Sequence, residues 1–133
     1  MLDTIKGLDD ELTKYLADDP VRPHIPHEVR ITDNSDVFVL VDDSKISAVT
    51  CVSYQANIPQ TESDLFESAE HRAAIFYTIW SYMAGAGRDM ILETRKWIED
   101  NNPEITEFVT YSPKTEMARK FHLKNGASTY REN

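Results

Sequence analysis

The chain has 133 residues, 41% of them hydrophobic, and a formal net charge of −9 at pH 7, enough for one domain with a real core. That charge excludes a general nucleic-acid binder, which needs clustered basic side chains on phosphates, and no apolar run approaches the ~18 residues of a membrane span. Cys51 is the one cysteine, so no internal disulfide can form and a reducing, cytoplasmic setting is expected.

The opening "MLDTIKGLDDEL" is acidic and amphipathic, unlike a secretory signal. Leu2, Ile5, Leu8, Leu12 and Leu16 recur at helical spacing and predict a helix over about 3–17. "PVRPHIPH", residues 20–27, reads as a stiff, proline-rich connector. Two β-branched runs, Val37–Val41 and Ile46–Tyr54, predict strands joined across "DDSK". Residues 55–70 read as a loop with one helical turn. "RAAIFYTIWSY" is apolar on both faces and predicts a central strand.

"SYMAGAGRDM", residues 81–90, follows, with two of the chain's four glycines one residue apart. Such a pair marks either a tight connection or a ligand lying on the main chain. A helix comes next, with Met90, Ile91, Thr94, Trp97 and Ile98 on its buried face. "TEFVTY" predicts a fourth strand, and "SPKTEMARKFHLKNGA" a last helix with Ser112 as N-cap, Pro113 at its first position and Gly126 as its stop. The whole predicts one α/β domain over 1–133, with its sheet core at about 30–130. A strand–helix–strand unit implies parallel strands in a right-handed crossover, and ligands of such sheets bind beyond the carboxyl ends of the strands. The glycine pair lies at that end.

The order of elements, with "YMAGAG" at Tyr82–Gly87 and "ARKFHLKNGA" at Ala118–Ala127, resembles the GNAT superfamily of acyl-CoA-dependent N-acyltransferases over roughly residues 30–127. The resemblance implies a GNAT-like mixed central sheet flanked by helices, truncated at both ends. It also implies acetyl-CoA as cofactor and an amine of unknown identity as acceptor. The coenzyme's pyrophosphate would lie on the backbone N–H groups of Tyr82, Gly85, Ala86, Gly87 and Arg88, where a helix N-terminus favours anions. Lys124, with Arg119 and Lys120, reads either as a solvated helix face or as reaching a coenzyme phosphate. Tyr82 stands where the family usually has Arg or Gln, and Thr115 where it often has Asn. His122 stands where a tyrosine often protonates the leaving thiolate, a role histidine can fill. The third strand carries no acid for a general base, which leaves Tyr54, Thr78 and Ser112 as candidates to hold a catalytic water.

Several residues have plainer readings. His24 and His27 in "HIPH" read as solvated, not as metal ligands. Cys51, Tyr77, Trp80 and Trp97 read as core. A fainter resemblance, to small GNAT-like proteins of tailed phages, implies a structural or head-assembly role without catalysis and a place in the virion. An acidic inhibitor imitating nucleic acid is a further alternative from charge alone. Chain ends that add little to the sheet would leave an open edge, which predicts a homodimer or larger homo-oligomer.

Overall fold

A computed structural model describes residues 2–5, 7, 11–59, 61–67 and 70–111, with the backbone alone of Ser112, Met117–His122 and Ser128–Arg131. Seven strands form one sheet whose spatial order follows the chain. They are β1 (Leu2–Ile5), β2 (Ser35–Asp42), β3 (Lys45–Gln55), β4 (Ala73–Ser81), β5 (Glu107–Ser112), β6 (Met117–His122) and β7 (Ser128–Arg131). Neighbours are antiparallel except β4 and β5, which run parallel and are joined by α1 (Ala86–Asn101). The fold is therefore α/β with a mixed sheet, as the element order implied, and the apolar third strand lies at its centre.

The β2–β3 hairpin closes on Asp43 and Ser44, both at positive φ (49° and 66°). Two left-handed residues in sequence give a turn whose twist matches that of the strands it joins. β4 is paired on both sides, and its side chains from Ala73 to Thr78 are buried. That double burial is why its sequence shows no alternation.

Each face of the sheet carries its own core. α1 covers one, setting Met90 and Ile98 on Phe38, Leu40, Val52 and Phe76. Its Met90, Thr94 and Ile98 are buried as expected, while Ile91 and Trp97 are half-buried. Short 3-10 segments and connecting loops cover the other face, where Leu16, Ile25 and Leu65 meet Val37, Val49, Cys51, Ile75 and Tyr77.

Two expectations are corrected at the ends of the chain. The predicted helix over 3–17 is instead β1 followed by a 3-10 segment, Glu11–Asp18. β1 pairs with the outer edge of β2, Leu2 opposite Leu40 and Ile5 opposite Val37. The helical spacing of leucines carries no information about that open edge. The predicted last helix is also wrong where it is described: Met117–His122 is a strand against β5, Ser112 opposite Met117 and Val109 opposite Lys120. Ala118, Arg119 and Lys120 favour helix by propensity, and strand pairing overrides it. Pro113 and Gly126, assigned as helix start and stop, lie outside the described residues. The sheet is thus longer at both ends than expected, and the reasoning from missing strands to an assembly loses its premise.

Candidate functional site

The turn from β4 to α1 is built around Gly85. It is the N-cap of the helix at φ +80°, a conformation that side chains with a Cβ resist. A Cβ there would meet nothing within 4 Å, so conformation and not space selects glycine. Gly87 lies in the first turn at ordinary helical φ, and a Cβ on it would also point into open space. Three contacts hold the turn: Tyr82 N–H donates to Ser47 O (2.8 Å), Ala86 N–H to Met83 O (3.2 Å) and Asp89 N–H to Gly85 O (3.5 Å). The N–H groups of Gly87 and Arg88 find no acceptor among the described residues. Arg88 is exposed and makes no ion pair among them. The first turn of a 16-residue helix thus presents two open donors and a guanidinium to solvent, which suits an anion. Met83, Ala84 and Ala86 of the same turn also line a cavity of about 240 Å³ that carries Asp42, Asp89 and Glu93.

Tyr82 itself is 44% exposed. Its hydroxyl accepts from Trp80 Nε1 (3.1 Å) and donates to Asp18 Oδ2 (2.7 Å). Burial, followed by the neighbouring Asp18 carboxylate, moves this phenol above its ordinary pKa.

At the same end of the sheet β4 and β5 part. Their pairing runs from Ala73 opposite Glu107 to Phe76 opposite Thr110 and stops, although both strands continue. The cause is a bulge in β4. Val52 faces Phe76 and Cys51 faces Thr78, so Tyr77 is an extra residue. A bulge bends a strand and increases its twist. The carbonyls just past the split go to one side chain: Arg22 Nε donates to Tyr77 O (2.8 Å) and Nη2 to Tyr111 O (3.3 Å). Its guanidinium lies 4.9 Å from the centre of the Tyr111 ring, and Nη1 is paired with Glu62 Oε2. Glu62 Oε1 in turn contacts His24 Nε2 at 2.5 Å. Burial pushes the Glu62 carboxyl up, but His24 and Arg22 outweigh it and hold it below its ordinary value.

A second arginine lies deeper. Arg30 has no exposed side-chain surface and pairs with the equally buried Asp19 at 2.7 Å. It also donates to Ile25 O and Arg22 O and touches Cys51 Sγ at 3.5 Å. Asp19 Oδ1 accepts from Val21 N–H, Arg22 N–H and the Thr78 hydroxyl at 2.8–3.0 Å. Burial raises the Asp19 carboxyl, yet these donors together keep it below its ordinary pKa. Burial pushes the Cys51 thiol up to about 11, so at neutral pH it is an inert thiol in a core.

The structure brings Tyr82, Gly85, Ala86, Gly87 and Arg88 together at the end of β4. It does not bring Tyr54 there. Tyr54 pairs with Ala74 at the opposite end of the sheet, is 3% exposed, and donates its hydroxyl to Asp36 Oδ2 at 2.7 Å. A phenol committed to a carboxylate at the far end cannot hold a water at this site, and burial moves it far above its ordinary pKa. Thr78 likewise commits its hydroxyl to Asp19. Ser112 ends β5, and His122 ends β6 opposite Ser128, not on a helix. The side chains of both, and all of Lys124, lie outside the described residues. Arg22, Arg30, Asp19 and Glu62 were missed. Their one signal was the arginine pair in "VRPHIPHEVR", a stretch whose prolines keep it out of any ladder while its carbonyls still need donors.

No known family model matches the sequence, and neither does any curated protein. Solved structures do share the fold. Malonyl-CoA decarboxylase from Agrobacterium vitis is similar with a TM-score of 0.71 at 20% identity, over 85% of this chain and 33% of that one. The enzyme from Rhodopseudomonas palustris is similar at 0.67 and 18%, over 85% and 31%. That from Cupriavidus metallidurans is similar at 0.64 and 17%, over 85% and 30%. The chain spans about a third of the length of these proteins, and at such identities the likeness is one of fold.

These findings correct the expected membership of the GNAT acetyltransferases and the phage resemblance with it. The three solved structures named above are malonyl-CoA decarboxylases, no family model supports either assignment, and "ARKFHLKNGA" does not lie on a helix where it is described. Among the described residues no helix is long and apolar enough to cross a membrane, and no group of three or more His, Cys, Asp or Glu side chains could hold a metal ion.

Proposed function

We propose that this domain binds an acyl-coenzyme A, with the coenzyme's diphosphate on the first turn of α1 and its thioester arm running toward the split between β4 and β5. The observation that carries this reading is the Gly85–Arg88 turn. Among the described residues it has two N–H groups without acceptors and a guanidinium without an ion pair, with open space above Gly87, at the end of the sheet where the parallel strands separate. The shared fold with malonyl-CoA decarboxylases, proteins named for a CoA thioester, supports it. Tyr82 and Arg88 would border the phosphates.

The finer reading is transfer of an acetyl group to an amine. The amine nitrogen would add to the thioester carbonyl, the carbon–sulfur bond would break, and coenzyme A would leave as thiolate. β4 carries no carboxylate in Ala73–Ser81, so the amine would lose its proton to water. Binding without chemistry is the second reading. It is favoured by Arg22, which already takes the two carbonyls at the split.

Thermal denaturation with and without acetyl-CoA tests the proposal. At about 100 times the dissociation constant, binding adds about 2.7 kcal/mol of stability, several degrees for a domain of this size. Gly87→Val fills the open space over the turn and should remove the shift while the protein still folds. Arg88→Ala should weaken binding about tenfold. No shift at millimolar acetyl-CoA, malonyl-CoA or free coenzyme A would reject the reading. A shift without thiol release across an amine panel would leave binding and reject transfer.

A further inference from the structure

Arg22 reaches the point where β4 and β5 part. The last paired positions are Phe76 and Thr110, and the next residue of each strand gives its carbonyl to this one side chain. Nε donates to Tyr77 O (2.8 Å) and Nη2 to Tyr111 O (3.3 Å). The guanidinium is buried and lies 4.9 Å from the centre of the Tyr111 ring. A planar cation that bonds both strand edges at once fills the root of the split. A ligand arm entering there would need the same carbonyls for its own amide N–H groups, and the pantetheine arm of coenzyme A carries such amides.

The backbone of Arg22 is fixed on both sides. Its N–H donates to Asp19 Oδ1 (3.0 Å), and its carbonyl accepts from Arg30 Nη2 (2.9 Å). Asp19 and Arg30 are themselves a buried pair. Pro23, the next residue, has a fixed φ. The connector therefore stays in place, and the part that can move is the side chain. Its remaining contact marks the way out. Nη1 pairs with the half-buried Glu62, which also contacts the exposed His24. The guanidinium can follow that carboxylate toward solvent without becoming an unpaired buried charge. We propose that Arg22 is an internal plug: its guanidinium closes the root of the β4–β5 split and swings out toward Glu62 when the arm of an acyl-coenzyme A enters. The plug rests on the acyl-CoA reading, but it shares no residue with the diphosphate turn. Displacing it lowers the apparent affinity for the arm and leaves the affinity for the diphosphate as it is.

Calorimetry compares acetyl-CoA with adenosine diphosphate, which keeps the diphosphate and lacks the arm. Arg22→Ala should tighten acetyl-CoA about tenfold, the worth of a hydrogen bond from a charged group, and leave adenosine diphosphate unchanged. Arg22→Lys keeps the charge but cannot span both carbonyls, so it should give a smaller gain of the same kind. In the unaltered protein the ¹⁵N–¹H signal of Arg22 Nε should shift and exchange faster with water at saturating acetyl-CoA, and should not move with adenosine diphosphate. No gain for acetyl-CoA in either variant, an equal gain for adenosine diphosphate, or an Nε signal unmoved at saturation would each overturn the plug and leave the diphosphate site standing. Binding of neither ligand to the unaltered protein or to the variants would reject the acyl-CoA reading itself, and the plug with it. Should Arg22→Ala fail to fold, Arg22→Lys and the Nε signal decide.

Discussion

The two faces of the sheet are covered by different means, and so they are held by different forces. α1 arrives with its backbone groups already paired within itself, so it needs only an apolar stripe to dock, and its core is made of Phe38, Phe76, Met90 and Ile98. The opposite face is covered by irregular chain with carbonyls that no ladder takes up. Arg30 serves Arg22 O and Ile25 O; Arg22 serves Tyr77 O and Tyr111 O. Buried donors are the condition for covering a sheet with loops. Those donors are cations, so each needs a carboxylate: Asp19 for Arg30 and Glu62 for Arg22.

The sharpest way to break this comparison is Arg30→Met. It strands the Asp19 carboxylate in the core, and losing one partner of a buried pair costs about 3–5 kcal/mol. Urea unfolding measures it. Adding Asp19→Asn should recover part of the loss, because the amide oxygen can still accept from Val21, Arg22 and Thr78. A cost below about 1 kcal/mol for the single change would mean the loop face does not depend on its ion pair.

On the helix face, Met90→Ala should cost about 2–4 kcal/mol through lost burial and the cavity left behind. That loss should not vary between pH 3 and 7 beyond the unaltered protein's own dependence.

The loop face should be sensitive to acid. Asp19 and Glu62 both have folded-state pKa values below their ordinary ones. Their contribution is therefore complete above the unfolded carboxylate pKa of about 4 and is lost as pH falls through the lower folded values. Asp36, raised by burial on the other side, acts in the opposite sense, so its protonation in the folded state begins at higher pH and favours folding as pH falls. A melting temperature that falls between pH 4 and 2, with less of a fall in Asp19→Asn, would show the first effect outweighing the second.

The smallest expected effects separate the two glycines that introduce α1. Gly85→Ala should destabilise by about 1 kcal/mol, since its φ is +80°. Gly87→Ala should stabilise by about 0.5–1 kcal/mol, because a helical φ and open space favour alanine. If both changes act in the same direction, the turn is not as described.

The sequence by itself determined the elements whose residues carry their own pattern. The β2–β3 hairpin, the doubly apolar β4, the amphipathic α1 and the parallel β4–β5 pair were all legible, since periodicity and turn chemistry are local properties. The glycine pair was legible as a strand-to-helix turn, but that the N–H groups of Tyr82 and Ala86 are already taken by Ser47 O and Met83 O was not. Only the tertiary structure decided the rest. Leu2–Ile5 and Met117–His122 are strands because β2 and β5 each had an open edge to fill, and no local pattern reports a vacancy elsewhere in the chain. Tyr54 belongs to the end of the sheet away from the turn because the register of β3 against β4 places it there. Neither Arg22 nor Arg30 was singled out by the sequence, Arg22 lying in the proline-rich connector and Arg30 just after it. Arg22 is buried on the carbonyl at the Tyr77 bulge, 55 residues away along the chain, and Arg30 on Asp19 and the carbonyls of Arg22 and Ile25. A bulge has no signature in composition, and the need it creates becomes visible only when the strands are side by side.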